Sequence, residues 1–234
     1  MPLTPWLAHL YTATGAITAL AAAMAVHAGD YRAAFLWLAT ATFIDATDGV
    51  LARALRVKER LPWFDGAKLD DIIDYLTYVF VPVFLIVRAG LVPASVSLWI
   101  GSAVLIASGY GFSRSDAKVD TTDYFFTGFP SYWNITALYL YVCRLSPLVN
   151  TAILIVLVGL VFVPTRYVYP SRTTTWRLAT VLLGSLWGVC VFAMIWRLPA
   201  LDGPWMPLSL VFPVYYLALS ARLSAAERRS RKTR

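Results

Sequence analysis

FIDATDGVLARALRVKERLPWFDGAKLDDIIDYL, Phe43–Leu76, carries Asp45 and Asp48 near the end of one apolar run and Asp70, Asp71 and Asp74 at the start of the next. An Asp at the centre of a membrane-spanning helix costs roughly 2.5–3.5 kcal/mol, with less cost near the interface. Several together need a compensating partner. In a helix Asp45 and Asp48 (i, i+3) share a face, as do Asp70 and Asp74 (i, i+4). Two consecutive antiparallel helices let both pairs converge at one depth. Four converging carboxylates repel, and one or two divalent cations are the simplest neutraliser. Oxygen-only ligands select hard ions such as Mg²⁺ or Mn²⁺. Asp71 lies about 100° round the helix from Asp70 and is placed outside the direct ligand set.

The chain around this stretch is 59% hydrophobic and 14% charged over 234 residues. Soluble domains are about half apolar and a quarter charged. The excess sits in long runs, and a spanning helix needs about 20 mostly apolar residues. Eight segments approach that length: Trp6–Ala28, Ala33–Leu55, Leu69–Val87, Leu91–Phe112, Ser131–Leu145, Pro147–Pro164, Trp176–Trp196 and Trp205–Leu223. The expected fold is therefore all-α, a polytopic membrane bundle of about eight helices. Residues 1–223 form one membrane domain and 224–234 a basic tail. No Lys or Arg precedes Arg32, so the first run is read as a retained span rather than a signal peptide. Pro82 and Pro213 fall inside spans, where kinks are expected.

The net charge of +7 lies in connections and the tail. It therefore reads as a topology signal and headgroup contact, not as a nucleic-acid surface. Sixteen of the 20 Lys and Arg residues fall in the connections after spans two, four and six and in the tail. By the positive-inside rule both termini are cytoplasmic, and the Asp cluster lies near the cytoplasmic face. Cys143 and Cys190 fall in or near separate apolar runs, without metal-site spacing, and read as packing residues.

Gly49, Ala52 and Gly66 either admit a bulky ligand close to the backbone or allow close helix packing. Arg53 either pairs with an Asp or holds a phosphate in its guanidinium fork. Taken alone, the cluster also suits a structural ion network or a proton relay in a transporter. A transporter would spread its carboxylates along a pathway, and inverted repeats are common in that class. Here they gather at one depth and no repeat is visible.

Asp45-x2-Asp48-Gly49-x2-Ala52-Arg53 followed by Gly66-x3-Asp70-x3-Asp74 resembles the signature of the CDP-alcohol phosphotransferase family. The spacer between Arg53 and Gly66 holds 12 residues, longer than in most of the family. It is similar to that of a bacterial branch, the phosphatidylcholine synthases. Phe125–Asn134 (FFTGFPSYWN) and Val163–Arg172 (VPTRYVYPSR) look like the same branch. The resemblance implies a metal-dependent transfer of the phosphatidyl group of CDP-diacylglycerol to choline, releasing CMP, in a homodimer in the bacterial inner membrane. Another acceptor alcohol (serine, inositol or glycerol phosphate) is the alternative within the family. The resemblance makes Asp45, Asp48 and Asp70 metal ligands, and Asp74 a metal-site neighbour and the general base. It makes Gly49, Ala52, Arg53 and Gly66 the lining of the CDP moiety, with Asp48 beside them.

Choline carries a fixed cation that proteins hold with aromatic faces. Tyr78, Phe129, Tyr132 and Trp133 are the leading candidates, with Phe126 and Tyr75 as further ones and Asn134 as a polar contact. Each also fits an interfacial anchor or packing role. Arg166 and Arg172, with Tyr169, are candidates for lipid or substrate phosphate, or plain topology charges.

Overall fold

A computed structural model of the chain describes residues 4–114, 118–119, 125–168, 175–200 and 203–232. It is an all-helical architecture with one small sheet. The chain divides into two compact units, one of residues 1–106 and 132–151, the other of 107–131 and 152–234.

The first unit begins with a helical hairpin, α1 (Thr4–Ala28) and α2 (Tyr31–Ala54). Its turn follows from two residues. Gly29, at φ +78°, adopts the left-handed conformation that ends a helix. The Asp30 side chain then accepts a hydrogen bond from the Ala33 N–H at 2.9 Å and caps α2. Small buried residues face each other along the pair, among them Ala8, Ala19 and Ala22 on α1 and Ala34 and Ala41 on α2. Such residues let backbones approach closely. Phe35, Leu38 and Val26 fill the remaining space.

After α2 the chain turns through Arg56, which is left-handed at φ 49°, into a single turn, α3 (Val57–Arg60). Asp65 then caps α4 (Gly66–Asp74), its side chain accepting from the Lys68 N–H at 3.1 Å. Helical backbone continues without a break through a π-helical turn, Tyr75–Phe80, into α5 (Val81–Arg88). The Val81 N–H reaches back five residues to the Leu76 carbonyl. Pro82 supplies the reason: it has no N–H, and its ring crowds the carbonyl four residues earlier. A widened turn before it relieves the clash. The kink expected at Pro82 is thus a π turn immediately after Asp74, and such turns recur at functional sites.

Five helices among the described residues are long and apolar enough to cross a membrane: Thr4–Ala28, Tyr31–Ala54, Ala94–Ser113 (α6), Arg177–Arg197 (α9) and Trp205–Ala225. The last combines α10 (Trp205–Ser209) with most of α11 (Val211–Lys232). They break at Leu210, four residues after which Val214 resumes the ladder. Pro213 cannot donate to the Ser209 carbonyl, so the interruption falls where that bond is missing. The fifth and sixth expected spans are shorter than read from the sequence. Helix α7 (Trp133–Cys143) has 11 residues and α8 (Pro147–Phe162) has 16. Two left-handed residues bracket α7, Ser131 at φ 56° and Arg144 at φ 49°. Leu98, Trp99, Ile106, Leu148 and Leu178 are each more than 70% exposed. Apolar side chains so placed suit lipid as their solvent.

In the second unit, β1 (Lys118–Val119), β2 (Phe125–Thr127) and β3 (Arg166–Val168) form an antiparallel sheet in that order. Phe125 pairs with Val168 and Thr127 with Arg166. The sequence places these segments in connections between spans. Val168 is fully buried against Leu219 and the rings of Tyr215 and Tyr216. Its N–H donates to the Ser220 hydroxyl at 3.1 Å, and the Ser224 hydroxyl donates to the Arg166 carbonyl at 3.1 Å. Ser224 opens the segment read as a tail, yet helix α11 runs on to Lys232.

Candidate active site

Three helices of the first unit converge on a recess of about 200 Å³, counting the space open to its surroundings. Helix α2 contributes Ala41, Ile44, Asp45 and Asp48. The helix beginning at Gly66 contributes Asp70, Ile73, Asp74 and Thr77, and α1 contributes Thr12. The first two sets are each spaced i, i+3, i+4, i+7, one stripe of a helix. All four signature aspartates thus line one recess, and Asp71 is not among the lining residues.

Asp45, Asp70 and Asp74 each offer an oxygen within 4.8 Å of the others, and all three are half-buried. At that separation each charged pair repels by about 3.5 kcal/mol at an effective dielectric of about 20. Repulsion of that size favours a positive charge held among the three. An all-oxygen donor set of this size fits a hard divalent ion. Asp48 stands apart from that trio. It is 8% exposed, and its Oδ2 accepts from the Thr12 hydroxyl at 2.8 Å. The adjacent Tyr11 and Thr47 hydroxyls form a second α1–α2 bond at 2.7 Å.

The π turn places Tyr78 so that its hydroxyl donates to Asp45 Oδ2 at 2.6 Å, and its ring lies 6.4 Å from that of Tyr132. Trp133 is completely buried. Asn134 Nδ2 donates to the Thr42 hydroxyl at 3.1 Å, which ties α7 to α2. Tyr75 turns toward α6, its hydroxyl donating to the Leu105 carbonyl at 2.9 Å. Arg53 is exposed, and its Nη1 lies 3.2 Å from where a Cβ on Gly49 would stand. The guanidinium thus lies close over Gly49 on α2. A Cβ on Gly66 would stand 2.6 Å from His9 Cε1. Ala52 is half-buried on α2.

Phe129 and Arg166 belong to the second unit. The Phe129 N–H donates to the Leu160 carbonyl at 3.0 Å. Phe126 pairs with Tyr167 in the sheet. Tyr169 and Arg172 lie outside the described residues.

Sequence reasoning missed Thr12 and the rest of the polar face of α1. A signal was present: His9, Thr12 and Gly15 recur every third residue through an apolar helix. Gly15 is needed because a Cβ there would collide with the Ile73 side chain. Thr12→Val keeps the shape and removes the donor to Asp48. A hydrogen bond to a charged group contributes about 1.5–3 kcal/mol, so the variant is expected to unfold at lower temperature in detergent. An unchanged midpoint would show that the bond contributes nothing.

No family model matches the chain. Among curated proteins it is similar to the phosphatidylcholine synthase of Legionella pneumophila, 41% identical over 222 residues, covering 92% of this chain and 86% of that protein. The phosphatidylcholine synthase of Pseudomonas aeruginosa is 38% identical over 221 residues, covering 93% and 92%. That of Agrobacterium fabrum is 33% identical over 179 residues, covering 76% and 73%. Similarity at this level, running nearly end to end in both chains, means that the protein belongs to the phosphatidylcholine synthase family.

Proposed function

We propose that this chain transfers the phosphatidyl group of CDP-diacylglycerol to choline and releases CMP, using two divalent ions, Mg²⁺ or Mn²⁺, held by Asp45, Asp48, Asp70 and Asp74. One observation carries the reading: carboxylate oxygens of Asp45, Asp70 and Asp74 gather within 4.8 Å in a chain related over most of its length to phosphatidylcholine synthases. When bound, the ions supply positive charge to the diphosphate and to the leaving CMP.

The chain's own residues do the rest. Asp74 accepts the choline hydroxyl proton as that oxygen attacks the β-phosphorus, and the bond to the CMP oxygen breaks. A hydroxyl is a poor nucleophile until its proton has somewhere to go. Tyr78 holds Asp45 through its hydroxyl and so orients the carboxylate. Arg53, lying over Gly49, holds the nucleotide diphosphate, and Gly49, Ala52 and Gly66 line the CDP moiety; Arg166 and Arg172 attract lipid or substrate phosphate. Tyr78, Tyr132 and Trp133 provide the aromatic surroundings of the choline cation. The ring pair of Tyr78 and Tyr132 beside Asp45 supports that assignment best.

Around this chemistry we place a multi-pass domain of residues 1–223 and a basic tail of 224–234. Its passes are the five long helices, the continuous helix Gly66–Arg88, and α7 and α8. Both termini are cytoplasmic, the active site lies near the cytoplasmic face of the bacterial inner membrane, and the protein is a homodimer. The partition of Lys and Arg supports the orientation, and family resemblance supports the dimer.

The test is CMP release by purified protein in detergent with CDP-diacylglycerol and one acceptor at a time. Choline is expected to trigger release, and serine, inositol and glycerol phosphate are not. Release with serine but not choline would overturn the choice of acceptor.

A further inference from the structure

One polar atom close to the recess is buried without a partner. His9 is 8% exposed, and its Nε2 makes no hydrogen bond. A buried donor or acceptor left without a partner is destabilising, because it has lost its hydrogen bonds to water. Phenylalanine would fill a similar volume without that cost, so packing alone does not account for an imidazole here.

Its position suggests what it serves. His9 lies one turn before Thr12 on the same face of α1. Its ring edge rests on Gly66, where a Cβ would stand 2.6 Å from Cε1 and 3.1 Å from Nδ1. Gly66 opens α4 one turn before Asp70. The Phe64 ring lies 4.3 Å from that of His9, and Trp6 lies 5.9 Å away. The nitrogen thus sits in an aromatic slot beside the first turn of α4.

We infer that His9 Nε2 forms a hydrogen bond with the pyrimidine-nucleotide half of the lipid substrate, the part that leaves as CMP. This rests on the function proposed above. The three parts of the reaction differ in what they offer an imidazole nitrogen. A quaternary ammonium has no N–H, and its hydroxyl is matched to Asp74. The diacylglycerol half is apolar apart from its ester oxygens, which only accept. The nucleotide alone presents several donors and acceptors. Phe64, in the connection between α3 and α4, lies against the ring.

The test uses full-length His9→Phe and His9→Gln proteins in detergent. It reads thermal midpoint, CMP affinity by calorimetry, and KM for each substrate. His9→Phe is expected to melt no lower than the parent, because it removes an unsatisfied group. It is expected to bind CMP about tenfold more weakly, the effect of about one hydrogen bond, and to raise KM for CDP-diacylglycerol while KM for choline holds. His9→Gln, whose amide nitrogen falls near the position of Nε2, is expected to recover most of the CMP affinity. Parental CMP affinity in His9→Phe overturns the assignment, as does a rise confined to the choline KM. Choline-dependent CMP release by the parent checks the proposed reaction separately. If the parent releases CMP without regard to choline while His9→Phe still binds it weakly, the acceptor assignment fails and the nucleotide contact stands.

Discussion

Replacing Asp74 with Asn is expected to leave CDP-diacylglycerol bound and to slow turnover by about 100- to 10,000-fold, the range that a positioned proton acceptor contributes. Asn has nearly the shape of Asp but cannot take the choline proton. The substitution also removes one charge from the trio within 4.8 Å, so ion binding weakens as well. Turnover therefore has to be compared at saturating Mg²⁺ or Mn²⁺, with CDP-diacylglycerol binding measured in the same protein. A loss that persists at saturation belongs to proton transfer. Near-normal turnover would remove Asp74 from the role of base.

The second large effect is on the ions. Exhaustive chelation is expected to abolish CMP release, and Mg²⁺ or Mn²⁺ to restore it. Asp70→Asn is expected to raise the ion concentration for half-maximal activity by at least the roughly 10- to 100-fold that even outer partners of a metal site cost when lost. A binding readout separates this from general damage. Asp45, Asp70 and Asp74 repel one another when no ion neutralises them. In chelator, Asp70→Asn is therefore expected to melt higher than the parent, and added Mn²⁺ is expected to raise its midpoint less. Undiminished activity after chelation would end the divalent-ion reading.

The aspartates show how far local periodicity reaches. Spacings of three and four residues place Asp45 with Asp48 and Asp70 with Asp74 on shared faces, and an antiparallel pair of spans brings those faces together. All four line one recess, as that reasoning requires. The same reasoning treated them as equivalent. The fold divides them: Asp48 turns to Thr12, while Asp45, Asp70 and Asp74 form the close group. That division depends on which helix lies against α2, a contact across 36 positions of chain that no local pattern encodes.

Apolar run length and the spacing of charge were enough to establish a helical membrane protein with an acidic site between its second and third apolar runs, because burial and insertion costs act residue by residue. Tertiary packing decided the rest. It set α1 as the third wall, brought Tyr78 against Asp45, and paired two connections into a sheet. Each of these depends on a partner distant in sequence, whose backbone groups or side chains must be satisfied at the same time.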